Sequence, residues 1–156
     1  MADLVLTLTE SITLNNKDQG GTISKTITGI NNIYKRIVTV PDGVDTTVAS
    51  FKSTVGTADS SIDIQNVRYI RVTNLDASNP MNLSLQIDAG GDDSAADASC
   101  TILVTAGNSF IMGAPEDGIH VDDDAATVIT SLVDLESIII DSTSEDVNVE
   151  VLIAST

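Results

Sequence analysis

Short segments in which apolar and polar residues alternate recur along most of this chain, and they constrain its fold more than any other feature. The segment 81–88 (MNLSLQID) is the clearest case. Its apolar and polar residues fall on opposite faces of a strand, since successive strand residues point to opposite sides of a sheet. Such segments recur about every 8–12 residues, as in all-β sandwiches and barrels, and none keeps a helical period. We therefore predict one all-β sandwich domain over residues 1–156, with about ten short strands.

The stretch 66–88 is predicted to form a long β-hairpin at the centre of this sandwich. Its two strands, 67–74 and 81–88, flank a run of turn-forming residues that ends at Pro80, and proline cannot donate to a strand ladder. The closing strands, 135–140 and 147–153, are likewise predicted to be joined by a hairpin loop. Near the start of the chain, residues 2–9 and 22–28 are predicted to be two strands on either side of a polar loop.

The charges are divided unevenly along the sequence. All seven basic residues lie at or before Arg71, and residues 72–156 contain sixteen acidic residues and no Lys or Arg. The whole net charge of −16 therefore belongs to that second part. Binding to a nucleic-acid backbone or to an anionic membrane surface needs Lys and Arg, so both partners are disfavoured. Two explanations stay open: an acidic surface that keeps the protein in solution, or a surface that binds cations or a basic partner.

The residues needed for catalysis are scarce. Cys100 is the only cysteine, which excludes an internal disulfide, and it lies in an apolar strand where a small core residue is expected. His120 is the only histidine, and no nucleophile motif accompanies it. We expect no enzyme activity and no cofactor, apart from the calcium considered next. The sequence has neither an apolar run of transmembrane length nor a basic-then-apolar leader. We therefore expect synthesis in the cytoplasm without a signal peptide.

Calcium is the best-founded chemical possibility. Asp122, Asp123 and Asp124 follow closely after Asp117, and calcium takes several oxygen ligands from carboxylates and carbonyls. However, the spacing of an EF-hand loop is absent, and adjacent aspartates on a strand point to opposite faces. Two alternatives stay open: a calcium site built on these four residues, and a solvated acidic loop, which the pattern favours.

Four phrases carry a resemblance to a known class of proteins. They are LTLTESITLNN at 6–16, TITGINNIYKRIVTVPDG at 26–43, NVRYIRVTNLDASNPMNLSLQI at 66–87 and AGNSFIMGAPEDGIHVDDDA at 106–125. Together they resemble small structural proteins of the virions of tailed bacteriophages, especially those that infect cyanobacteria. The resemblance implies a jelly-roll-like protein of the virion, a decoration (cement) protein on the capsid exterior. Its implied partners are the major capsid protein and further copies of the chain, with a trimer favoured.

The resemblance leaves other roles open. A tail, fibre or head–tail component would reuse the same kind of small β module, and a calcium-dependent adhesion or binding module would share the acidic loops. Candidate interface residues follow from the sequence. The strand 32–40 is apolar on both faces, which favours a subunit interface at Tyr34 and Arg36. Arg68 and Arg71 are candidates for pairing with acidic loops, the alternative being ordinary surface salt bridges.

Overall fold

The computed structural model describes residues 1–56, 60–87, 98–121 and 131–156. In these ranges the ordered elements are almost all strands, which confirms the predicted fold class. In chain order the strands are β1 (Ala2–Glu10), β2 (Thr13–Leu14), β3 (Lys17–Asp18), β4 (Gly21–Ile30), β5 (Asn32–Val40), β6 (Thr46–Lys52), β7 (Ile62–Asp63), β8 (Val67–Asn74), β9 (Met81–Ile87), β10 (Ala98–Val104), β11 (Ser109–Gly113), β12 (Leu135–Ser142) and β13 (Val147–Ser155).

Eight of these strands form two sheets that face each other across one core. Sheet I has the order β11-β8-β13-β5, and sheet II has the order β10-β9-β12-β6, with the two-residue β7 added in parallel beside β6. When the eight strands are numbered along the chain from β5, sheet I reads 6-3-8-1 and sheet II reads 5-4-7-2. This is the connectivity of a jelly roll, so the expected jelly-roll-like sandwich is confirmed.

The core between the sheets is aliphatic and follows the alternation of the sequence. On β9, Met81, Leu83 and Leu85 are buried, while the residues between them are half-buried on the outer face of sheet II. Across the core, β13 contributes a row of buried residues, Val147, Val149, Val151 and Ile153, to the same cluster. Burial of a side chain of this size contributes roughly 1.5–3 kcal/mol. The alternating segments therefore supply the driving force that holds the two sheets together.

The predicted hairpin at 66–88 is wrong in its pairing, although both of its strands exist. Val67–Asn74 pairs with β11 and β13 in sheet I, whereas Met81–Ile87 pairs with β10 and β12 in sheet II. The hairpin predicted between the closing strands is wrong for the same reason, because β12 lies in sheet II and β13 in sheet I. In each case the connection crosses from one sheet to the other, which lets both strands direct apolar side chains into one core.

A side-chain network at Asn74 shapes the crossing from β8 to β9. Asn74 is fully buried, and its amide nitrogen donates to the carbonyl oxygens of Asn79, at 2.9 Å, and Val104, at 3.2 Å. Its amide oxygen accepts a hydrogen bond from the backbone N–H of Asp76 at 2.9 Å. The Asp76 carboxylate accepts in turn from the N–H groups of Ser78 and Asn79, and these backbone hydrogen bonds lower the pKa of Asp76. Asn and Asp thus supply the hydrogen bonds that a β-ladder would otherwise provide.

Helical structure in the described ranges is limited to one 3-10 turn, Ile64–Asn66, before β8. The carboxylate of Asp63 caps this turn by accepting a hydrogen bond from the N–H of Gln65 at 3.1 Å. None of the described residues belongs to a helix with the length and apolar character needed to cross a membrane.

Candidate functional site

The first thirty residues form a projecting β-hairpin, which we call the arm. β1 pairs antiparallel with β4 from Ala2–Ile30 at the base to Glu10–Gly21 farther out, and the short strands β2 and β3 continue the hairpin to its tip. At the tip, Asn15 and Asn16 have φ angles of 53° and 59°. Asn tolerates this left-handed conformation better than most residues, and two such residues in succession are typical of tight hairpin turns.

The arm has one apolar face and one hydroxyl-rich face. The strand register places Leu4, Leu6 and Leu8 of β1 on the same face as Ile23 and Ile27 of β4. Lys25 lies between the two isoleucines on this face, opposite Leu6. The opposite face carries Val5 and a group of hydroxyl residues, namely Thr7, Thr9, Thr22, Ser24 and Thr26. A two-stranded hairpin with such a face needs a surface against which the face can pack.

Sheet I supplies that surface for the base of the arm only. A second apolar cluster, outside the main core, has Ile30, Tyr69 and Ala154 at its buried centre. Leu4, Leu6, Ile27 and Leu152 pack against it. Tyr69 belongs to β8 and Ala154 to β13, so the base of the arm lies over the two central strands of sheet I.

From this base the arm runs towards β11, the strand at one edge of sheet I. Leu6 and Lys25 line a cleft of about 500 Å³ together with Ile111 and Gly113 of β11. A second cleft, of about 360 Å³, lies between Thr7 and the neighbouring residues of β1 on one side and the outer face of sheet I on the other. The arm therefore extends over sheet I from its centre towards the β11 edge, where Ile111 stays 52% exposed.

Beyond these clefts the apolar face of the arm continues into solvent. Leu8 is 58% exposed and Ile23 is 69% exposed, and Ile12 and Leu14 near the tip are also more than half exposed. These residues extend the stripe that Leu4, Leu6 and Ile27 begin at the base, but no described part of the chain covers them. An apolar surface of this kind is typical of a protein–protein contact.

The opposite edge of sheet I presents a second partly apolar surface. β5 is the last strand in the order of sheet I, and on its outer face Ile33 and Ile37 are 49% and 64% exposed. Its inner face belongs to the sandwich, because Tyr34 packs on the core and its hydroxyl donates to the carbonyl oxygen of Val48 at 3.2 Å. The Arg36 guanidinium lies 5.1 Å from the centre of the Tyr34 ring, within cation–π range.

A small charge cluster on the outer face of sheet I links three of its strands. The Lys35 ammonium of β5 lies 3.1 Å from the Glu150 carboxylate of β13, and the Arg71 guanidinium of β8 binds the other oxygen of that carboxylate. The hydrogen bond from Lys35 lowers the pKa of Glu150, and the positive charges of Lys35 and Arg71 act in the same direction against the opposing effect of burial. Glu150 is therefore held ionised between two cations.

The four predicted interface residues have contacts within their own chain. Tyr34, Arg36 and Arg71 make the contacts described above. Arg68 donates to the carbonyl oxygens of Gln65, at 2.8 Å, and Val67, at 3.2 Å, and lies 3.8 Å from the Glu116 carboxylate. Their contact with another subunit stays a prediction. The strand 32–40, for which that prediction was made, does present exposed apolar residues, but at Ile33 and Ile37 instead of Tyr34.

The predicted calcium ligands fall largely outside the part of the chain that the structure describes. Asp122, Asp123 and Asp124 lie in the range 122–130, which is not described. Asp117 is described, and its backbone N–H donates to the Asp134 carboxylate at 2.9 Å. Among the described residues, no group of three or more His, Cys, Asp or Glu side chains is placed to hold a metal ion. The calcium site stays a prediction.

Sequence reasoning identified both strands of the arm but not the arm itself. Its register could have been anticipated, because Asn15-Asn16 is a turn signal centred between two segments of matching alternation. No family model, curated protein or solved structure matches this chain. The arm and the outer face of sheet I are therefore the features from which a function can be inferred, together with the resemblance described above.

Proposed function

We propose that this chain is a structural protein of a tailed-phage virion, a decoration protein that binds the major capsid protein on the capsid exterior and stabilises the head. The observation that carries the proposal is the arm, whose apolar face extends beyond the domain that anchors it. A two-stranded hairpin is marginally stable in water by itself. An arm with exposed Leu8 and Ile23 therefore favours a protein whose surface is completed by other subunits of an assembly.

Two further observations support this proposal. Jelly rolls are common in viral capsid and lectin domains, although a fold by itself does not assign a function. The net charge of −16 is compatible with a position outside a shell, away from the packaged nucleic acid. In this role the protein acts by multivalency, since many weak contacts repeated over a shell gain strength when several are engaged at once.

The test is co-sedimentation with capsids of the encoding phage that lack this protein. The proposal predicts saturable binding to such capsids and no additional binding to capsids that already carry the protein. Purified tails serve as the matched control. Failure to bind capsids, combined with incorporation into tails, would contradict the decoration role and favour a tail component. Repeating the binding with a calcium chelator separates the adhesion-module alternative, for which chelation would abolish binding.

A further inference from the structure

The exposed half of the arm points to a specific partner, a second copy of this chain. We propose that the apolar stripe of one arm, at Leu8 and Ile23, packs on the outer face of β5 in a neighbouring copy, at Ile33 and Ile37. This inference deepens the proposed function and rests on it for the setting in which the copies assemble. The contact itself forms between isolated chains and is measurable without capsids.

The exposed stripe of the arm is continuous with a contact that the chain already makes. At the base, the same face of the same two strands packs on the outer face of sheet I through Leu6 and Ile27. Farther out, the stripe continues with Leu8 and Ile23, which have no covering surface among the described residues. The outer face of sheet I in another copy is a surface of the kind that this stripe already fits.

The two surfaces lie towards opposite edges of sheet I. The arm leaves the domain over β11, and the exposed Ile33 and Ile37 lie on β5, at the far edge of the order β11-β8-β13-β5. An arm directed away from β5 covers the β5 of a different copy instead of its own. Such a contact is head-to-tail, and head-to-tail contacts form rings when the rotation between copies closes.

The arm and β5 differ in charge from the rest of the chain. Residues 1–40, which comprise the arm and β5, contain four basic and three acidic residues, whereas residues 41–156 contain three basic and twenty acidic ones. The excess negative charge, through which two copies repel each other, therefore belongs to residues outside the arm and β5. The facing charges are balanced, because the register places both Glu10 and Lys25 on the same face of the arm as Leu8. On the outer face of sheet I, Lys35 is paired with Glu150.

The free long edge of β5 makes this strand suited to such a contact. Among the described strands, β5 has a partner on one side only, β13. Its nine residues include no proline, and its pairing with β13 has no bulge. Proline and bulges both protect edge strands from pairing with other chains. Charged residues also do so, but Lys35 is bound here to Glu150. The neighbouring arm can thus pack on the outer face of β5 and approach its free edge.

The experiment is sedimentation velocity on the isolated chain at several concentrations. Four proteins are compared: the wild type, the double variant Leu8→Ser/Ile23→Ser, the variant Ile37→Ser and the control Leu103→Ser. Leu103 is 58% exposed on the outer side of β10 in sheet II. Its replacement therefore removes a comparable apolar group from a surface outside the proposed contact. The wild type and control are expected to form the same oligomer. Self-association of the other variants is expected to weaken roughly tenfold for each buried side chain lost.

Each other outcome contradicts part of the inference. A monomeric wild type at concentrations of tens of micromolar would overturn it, and so would an oligomer that the arm variants leave unchanged. If the arm variants dissociate while Ile37→Ser does not, the arms contact each other or another surface, and β5 is not the partner. Circular dichroism of each variant checks that the exposed replacements leave the fold intact. Binding of a monomeric variant to undecorated capsids would show that the proposed function holds even where this contact has been removed.

Discussion

Replacing Asn74 with alanine tests the side-chain network that carries the chain from sheet I to sheet II. In the structure the amide nitrogen of Asn74 donates to the carbonyl oxygens of Asn79 and Val104, and its amide oxygen accepts from the N–H of Asp76. Alanine removes all three hydrogen bonds and leaves a small cavity, because Asn74 is fully buried. The backbone groups of Asn79, Val104 and Asp76 that formed these hydrogen bonds stay in place.

The loss in the free energy of unfolding depends on which of those backbone groups can form a hydrogen bond with water instead. A typical intramolecular hydrogen bond contributes about 0.5–1.5 kcal/mol net, and a buried group left unsatisfied costs about 1–3 kcal/mol. The hydrogen bond to the Val104 carbonyl is buried, whereas those to Asn79 and Asp76 are only partly buried, so water can replace them more readily. We therefore expect Asn74→Ala to lower the free energy of unfolding by about 2–3 kcal/mol.

Urea-induced unfolding at one fixed protein concentration is the appropriate assay, because self-association shifts apparent stability. The matched control is Asn148→Ala, which removes an exposed hydrogen bond from the Thr39 hydroxyl and is expected to cost less than about 0.5 kcal/mol. Asn74→Asp gives a second readout. Its carboxylate would face carbonyl oxygens in a buried position, so burial would raise the folded-state pKa above the ordinary value. The variant is then expected to lose stability as the pH rises from about 4 to 7. A loss below about 0.5 kcal/mol for Asn74→Ala, or no pH dependence for Asn74→Asp, would refute this reasoning.

Three further predictions concern the outer face of sheet I, the arm and the core. The pKa of Glu150 is lowered in the folded protein, so its ionised form contributes to stability. At pH values above the ordinary pKa of glutamate, Glu150→Gln should lower the free energy of unfolding by at most about 1 kcal/mol. The difference should vanish as the pH falls through the lowered pKa; parallel pH profiles of the two proteins would contradict this. A Cβ at Gly20 would overlap the carbonyl oxygen of Glu10. Gly20→Ala should therefore accelerate amide hydrogen exchange in the outer arm without changing the melting temperature of the sandwich. Unchanged exchange in the outer arm would contradict the close approach of Gly20 to Glu10. Leu83→Ala should lower the free energy of unfolding by about 2–5 kcal/mol. Replacement of the exposed Leu103 with alanine should lower it by less than about 0.5 kcal/mol. Equal losses would contradict the burial of Leu83 in the core.

The sequence was sufficient to predict most strands and their buried faces, but not how the strands pair. The strand 32–40 was predicted with the bounds that the structure has, and 67–74 likewise. Alternation identifies which side of a strand is buried, but it does not say in which of two facing sheets the strand lies. In a jelly roll, most consecutive strands belong to opposite sheets, and both direct their apolar side chains into the same core. The hairpins predicted from proximity along the chain were wrong for this reason.

The candidate site was harder to predict than the fold. The segments that form β1 and β4 alternate in the same way as buried strands, so nothing in their sequence indicates that Leu8 and Ile23 stay exposed. That fact depends on where sheet I ends beneath the arm, which is a property of the tertiary structure. The unequal distribution of charge was visible in the sequence. The sequence does not show, however, that the arm and β5, which carry little of the negative charge, lie towards opposite edges of one sheet.

Cross-linking between two differently labelled copies tests the central claim, that the arm of one copy binds β5 of another, most directly. Both copies carry Cys100→Ser; one also carries Ile23→Cys, and the other, with an affinity tag, carries Ile37→Cys. After mixing and subunit exchange, a short bismaleimide is added and the products are identified by mass spectrometry. The account predicts a cross-linked dimer of one tagged and one untagged chain in high yield, and little product when the second copy carries Leu103→Cys instead of Ile37→Cys. Equal yields from the two pairs, or no product from either, would contradict the account.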